Sequence, residues 1–332
     1  MKRALFATAA LVALITAPGA AYMRFGLTIN GTNTVLRWPG AIPYRVSDAE
    51  LANGISAADL DQALQRAFRA WEAVPSADVR FTRQGFTSGR PSDDDTSNVF
   101  GFERRPDLER TLAVTSYTID VISGAIVEAD VQFNAAQPWS VAENGSAAGF
   151  DLQAVAQHEI GHVLGLGHSA IGETEVPGPG PGRRLIASGS VMFPIAFPRG
   201  SVEGRTLRSD DVAGVSDLYR PPSGGPSLGG LAGHVRKDGR GVFGAHVVAY
   251  GLRSGQIVGG FSITDDGDYV INGLEPGTYV VRVEPLDDGD VESFFENTAR
   301  VDADFGVTYY SKLAVAPRSG VAGDIDIAVR AR

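Results

Sequence analysis

The sequence predicts an α+β domain followed by an all-β domain. Three helix-like stretches, at 56–74, 151–163 and 209–219, are interspersed with short strand-like runs in the first two-thirds of the chain. A stretch rich in Pro, Gly and Ser at 220–230 then breaks the pattern. Beyond it come only short alternating runs separated by turn signals, at the spacing of a small β-sandwich. A chain of 332 residues with 43% hydrophobic content is long for one domain and comfortable for two. The expected division is a leader at 1–21, a first domain at 22–222, a linker at 223–230 and a β-sandwich at 231–332.

The leader reads as a secretory signal peptide: Lys2 and Arg3, an apolar run at 4–15, then Pro18, Gly19, Ala20 and Ala21, with cleavage expected near Ala21. No later segment is apolar for long enough to cross a membrane as a helix. The product is therefore expected outside the cytoplasm, extracellular or periplasmic, and is treated as a monomer. It has no cysteine, so packing and bound metal must hold the fold without disulfides. The formal charge of −10 argues against nucleic acid or anionic membrane surfaces as partners.

In chain order, residues 22–40 read as an irregular arm leading into a first strand at 42–46. Ser56 and Asp59 form a capping-box pattern, and Leu60, Leu64, Ala67, Phe68, Trp71 and Val74 recur at helical spacing until Pro75. A second strand is expected at 79–82, then a Gly/Ser/Asp loop at 85–97. Within it Asp93, Asp94 and Asp95 are either a solvated acidic turn or carboxylate ligands for calcium. The runs 111–118 and 125–133 look like an antiparallel hairpin turning at Ser123 and Gly124. Asp151 is a natural N-cap for the second helix. Alternating Pro and Gly in the stretch between His168 and Met192 mark a surface loop, a candidate lid, whose Arg183 and Arg184 read as solvated. Ser209 is the expected cap of the last helix. His234 and His246, single histidines on strands or turns, read as structural or exposed.

The second helix carries the chemistry. From His158 to His168 the sequence reads HEIGHVLGLGH. Four residues apart on a helix, His158 and His162 face the same way and can close on one metal ion, with Glu159 beside them. A third ligand at His168 requires the chain to turn back, which Gly165 permits at least cost. Three imidazoles with one position left open is the arrangement of catalytic zinc. Zinc so bound can lower the pKa of a water to about 7, and Glu159 is then the natural general base for attack on a carbonyl. With no cysteine and no G-x-S-x-G, thiol and serine-triad chemistry do not compete.

With Met192 downstream, this motif resembles that of the metzincin metallopeptidases, in which a methionine-containing turn passes beneath the metal. Residues 68–81, the strand through Ala129, Asp130, Val131, Gln132 and Phe133, the turn Met192-Phe193-Pro194 and the stretch 210–219 are similar to the matrixin branch, in its bacterial style. That resemblance implies a zincin catalytic domain at 22–222: a twisted mixed sheet with three helices and one antiparallel edge strand above the cleft. It implies a secreted zinc endopeptidase acting on proteins or peptides, including those of an extracellular matrix. Carried over, 112–118 is the edge strand, with Leu112 and Val114 pairing with an extended substrate. Pro194, Ile195 and Ala196 wall a specificity pocket, with alanine where a tyrosine often stands.

Departures from the family are equally legible. No histidine precedes His158, so the second, structural zinc is expected to be missing and one catalytic ion to remain. Without cysteine there is no cysteine switch, and control must lie elsewhere. Calcium dependence rests on Asp93, Asp94 and Asp95 and on the family's habits. The tail, through Gly233-His234-Val235, Gly244-Ala245-His246-Val247 and 264–279, resembles the carboxypeptidase-regulatory or prealbumin-like β-sandwich. The rival to the enzyme reading is a surface or matrix-binding protein that uses this sandwich and keeps the zincin domain as an idle scaffold.

Overall fold

The computed structural model describes residues 24–29, 32–93, 95–108, 111–176, 183–223, 225–295 and 297–332. The leader at 1–21, Asp94 and the Pro/Gly tip at 177–182 lie outside them.

The arm read as irregular holds a hairpin, β1 (Gly26–Ile29) and β2 (Thr32–Val35). It leads into β3 (Ile42–Ser47) and α1 (Ala57–Glu72). The capping box closes as expected: the Ser56 hydroxyl accepts from Asp59 N at 3.1 Å, and the Asp59 carboxylate accepts from Ser56 N at 3.0 Å. Leu60, Leu64, Phe68 and Trp71 form the buried face of α1.

The second strand, β4 (Phe81–Thr87), starts later and runs further than expected, shortening the acidic loop. Then follow β5 (Val99–Glu103), β6 (Ala113–Ile119) and β7 (Ile126–Asn134), in the sheet order β4-β3-β5-β7-β6. The pairs among β4, β3, β5 and β7 are parallel; β6 runs antiparallel to β7 and forms the edge.

Two short strands, β8 (Trp139–Ser140) and β9 (Phe150–Asp151), precede α2 (Leu152–Val163). The stretch between His168 and Met192, expected to be a loop, contains the hairpin β10 (Gly172–Glu175) and β11 (Arg184–Ser188). The last helix, α3 (Ser209–Leu218), begins at Ser209, so Arg208 is its cap residue; Asp211 in the first turn reaches back to Arg208 N at 2.7 Å. The expected Ser209 cap is displaced by one residue because the buried Asp211 carboxylate supplies the acceptor.

The last third of the chain builds two five-stranded sheets. The first is centred on β12 (Gly229–Lys237) beside β13 (Arg240–Gly241), with β16, β20 and β21; the second runs β14 (His246–Gly251), β15 (Ile257–Phe261), β17, β18 and β19. The remaining strands are β16 (Asp268–Leu274), β17 (Gly277–Glu284), β18 (Thr308–Tyr309), β19 (Ala314–Ala316), β20 (Val321–Ala322) and β21 (Ile327–Val329). The halves are docked. Asp210 of α3 accepts Gly259 N at 2.8 Å, and Gly273 lies so close to α3 that a Cβ there would stand 2.7 Å from Ala213 Cα.

Candidate metal centre and cleft

Asp151 caps α2 by accepting Ala154 N at 2.8 Å, and Arg205 pairs with the same carboxylate. Distant groups bond the carbonyls at the C-terminal end of α2, where His162 O also accepts Gly165 N at 2.6 Å. Trp38 Nε1 donates to Val163 O at 2.8 Å, the Tyr117 hydroxyl to His162 O and the Tyr219 hydroxyl to Leu164 O at 2.8 Å. Gly165 then turns the chain at φ 93°, where a Cβ would lie 2.6 Å from Leu36 O. That turn brings His168 back beside the helix.

The three imidazoles converge, with ring centroids 4.7, 4.9 and 5.4 Å apart and one ligand atom from each lying within 4.8 Å of the others. Among the described residues they are the single group of three or more ligand-type side chains that converge so closely. Each Nδ1 faces a backbone carbonyl: Val191 O at 2.8 Å for His158, Leu166 O at 2.8 Å for His162 and Ser293 O at 2.7 Å for His168. A carbonyl only accepts, so each Nδ1 carries the hydrogen and each Nε2 keeps its lone pair.

Burial lowers the pKa of all three; mutual repulsion adds to it at His162, which lies well below the ordinary value, and at His168, which falls to about 4. Neutral, pre-oriented imidazoles fit a zinc ion. The Glu159 carboxyl is pushed up to about 7 by burial, against the Thr115 hydroxyl of β6, which donates to Oε2 at 2.6 Å and leaves Oε1 free of that bond.

Met192 lies beneath. Its backbone N–H and that of Val191 donate to Asp211 at 3.2 and 2.9 Å, and Ser190 Oγ to the same carboxylate at 2.6 Å. Ser169 N donates to Met192 O at 2.9 Å. Gly161 is what lets α2 approach this turn: a Cβ there would meet Met192 Sδ at 2.2 Å.

Glu159 and the three histidines line a cavity of about 920 Å³ whose walls include Leu112, Val114, Pro194, Ile195 and Ala196. The structure thus places the sequence-derived cleft residues around the imidazoles. Asp93 and Asp95 stand apart from the cleft, in local turns: Asp93 accepts Arg90 N at 2.7 Å and Asp95 accepts Ser97 N at 2.8 Å. Sequence reasoning missed Thr115 and Tyr117, although they share one face of β6 with Ala113, and all three line the cavity. It also took Arg183 as solvated. Arg183 instead lines the cavity and pairs with Asp290 at 3.1 Å, because the C-terminal half reaches the site. Glu292, Ser293 and Phe294 line the cavity too, and no local signal marks them.

Residues 37–175 match the Matrixin family model. The chain is similar to metalloendoproteinase 4-MMP of Arabidopsis thaliana, 28% identical over 200 residues, covering 55% of this chain and 48% of that protein. It is similar also to human matrix metalloproteinase-20, 28% identical over 190 residues (54% and 31%), and to the hatching enzyme of Paracentrotus lividus, 26% identical over 200 residues (57% and 27%). The chain spans about half or less of the length of these relatives. Family model and relatives support a metzincin-type catalytic domain and a zinc metalloendopeptidase, and the mixed sheet with three helices fits such a domain.

Proposed function

We propose that this chain is a secreted zinc-dependent endopeptidase that hydrolyses peptide bonds of proteins, with residues 22–222 as its catalytic domain, 223–230 as a linker and 231–332 as a β-sandwich of the carboxypeptidase-regulatory kind. The carrying observation is the convergence of three neutral imidazoles beside a buried glutamate on the floor of a cleft roofed by an edge strand. His158, His162 and His168 would hold the zinc. When bound, zinc supplies Lewis acidity and brings the pKa of a coordinated water to about 7.

The protein's own groups do the rest. The free edge of β6 offers backbone N–H and C=O groups to an extended substrate, with Leu112 and Val114 at its entrance. Pro194, Ile195 and Ala196 receive a substrate side chain. Thr115 holds Oε2 of Glu159, so that Oε1 takes the proton from the attacking water and delivers it to the departing amine. Among the described residues no helix is long and apolar enough to cross a membrane. Secretion rests on the leader sequence and its cleavage near Ala21.

Digestion of casein or gelatin by wild type and Glu159→Gln tests the reading. Wild type is expected to cut, a chelator to stop it, and the variant to be at least about 10²-fold slower while still binding zinc. Equal, chelator-insensitive activity in the two would leave the matrix-binding alternative standing. Calcium binding at the loop of Asp93, Asp94 and Asp95 is a further proposal: added calcium should raise the melting temperature of chelated, zinc-reconstituted protein, and unchanged melting counts against it.

A further inference from the structure

The third imidazole differs from the other two in the origin of its partner. Val191 and Leu166, which orient His158 and His162, precede the linker; Ser293, which orients His168, lies beyond it, 125 residues further along the chain than His168. Ser293 closes a 3-10 turn, Val291–Ser293, whose own bonds run from Ser293 N to Asp290 O at 2.8 Å and from Phe294 N to Val291 O at 3.0 Å.

The turn is pinned from both halves. The Phe294 ring is buried 5.6 Å from Phe261 and 6.3 Å from the His168 ring, in a cluster that also holds Ala170, Ile263, Leu286 and Phe295. From the β10–β11 hairpin, Arg183 bonds the Asp290 carboxylate at 3.1 Å and Asp287 O at 2.7 Å, and Thr174 N bonds Asp288 at 3.1 Å. Next to Ser293, the exposed Glu292 lines the same cavity as Glu159. Of the cations on the cavity wall, Arg183 is committed to Asp290 and Arg199 lies over the Phe150 ring at 5.2 Å, whereas Glu292 enters no ion pair among the described residues.

We propose that residues 290–294 are part of the active centre, with Ser293 as a positioning residue for His168 and Glu292 as a specificity-determining residue that favours substrates bearing Lys or Arg against its wall. The Glu292 role rests on the endopeptidase reading. The Ser293 role needs only that the imidazoles bind zinc. A carbonyl held on Nδ1 fixes the tautomer and ring angle that present Nε2 to the metal, and losing such a partner weakens metal affinity by about 10–100-fold. A carboxylate on the wall of a cleft attracts a substrate cation and repels an anion, an effect of roughly tenfold in selectivity where solvent screens it.

Both roles are testable in the full-length chain. Phe294→Ala frees the turn, and Ile263→Ala is its control, truncating a side chain of the same cluster while leaving the Phe294 ring beside His168 in place. Competition with a chromogenic chelator should show zinc bound at least about tenfold more weakly by Phe294→Ala and within about twofold of wild type by Ile263→Ala. Equal weakening in both, or none in either, overturns the Ser293 role. Glu292→Lys, an exposed change that threatens no core, is assayed on peptide pairs that differ only in Lys or Glu at each position flanking the cleaved bond. Wild type should favour a Lys peptide at one position through KM, and the variant should reverse or erase that preference. An unchanged ratio overturns the Glu292 role. A wild type that cuts no peptide removes the endopeptidase reading and the Glu292 role together, while the zinc measurement still decides Ser293.

Discussion

Gly161 shows how a residue with no functional group can be indispensable to a site. It lies on α2 between His158 and His162, with Met192 Sδ 2.2 Å and Trp71 Cζ2 3.0 Å from where a Cβ would be. Gly161→Ala therefore forces the helix off the methionine turn. Despite alanine's better helix propensity, it should cost about 1–3 kcal/mol of stability, read as a lower melting temperature, and weaken zinc binding. A more stable variant would show that the turn yields freely. At this scale the sequence was most informative where chemistry has a fixed helical spacing: His158, Glu159 and His162 declared themselves. Thr115, Tyr117 and Ser293 did not, because they meet the motif across 44, 45 and 125 residues.

Among the elements, β7 departs most instructively from its pattern. Its alternation puts Glu128 and Asp130 in step with Ile126 and Gln132, and both carboxylates are buried, with β7 running between β5 and β6. Burial pushes Asp130 up to about 8, with Glu128, Asp95 and Asp93 adding to the rise and the Val99 N–H opposing it. In the unfolded chain an aspartate titrates near pH ~3.9. The folded state thus binds the proton more readily. Its contribution is full below that pH and is lost as pH rises through about 8.

Asp130→Asn keeps an acceptor for Val99 N and removes the charge. It should stabilise the protein by roughly 1–2 kcal/mol at pH 8 and less at pH 5, measured by thermal melts at both. An equal gain at the two pH values would exclude the charge as the cause. Elements with local codes were legible: the capping box of α1, the Asp151 cap and the hairpin turning at Gly124. The β1–β2 and β10–β11 hairpins were not, because the Gly-, Thr- and Asn-rich sequence of the first and the Pro/Gly stretch beside the second resemble loops.

For the whole molecule, composition suggests a linker at 223–230 and is silent on the contacts made across it. Asp210 holds Gly259, and Gly273, at φ 71°, takes the approach of α3 that a side chain would block. Two halves joined in this way should unfold as one, giving a single calorimetric transition in the intact chain. Gly273→Ala should lower it by about 1–3 kcal/mol or split it in two. Two separate transitions in wild type would mean that the contacts contribute little. Surfaces of this kind depend on shape, and neither periodicity nor spacing records shape.

The distance along the chain from His168 to Ser293 also sets a clock. A ribosome delivers residues in order, so a growing polypeptide exposes its complete set of histidines well before the carbonyl that steadies the last of them has been made. If that carbonyl governs metal retention, the protein stays a weak binder of zinc throughout most of its own synthesis. Full metal retention then arrives only after the C-terminal sheets have folded against the first part of the chain, a delay that a chain without cysteine obtains from topology alone.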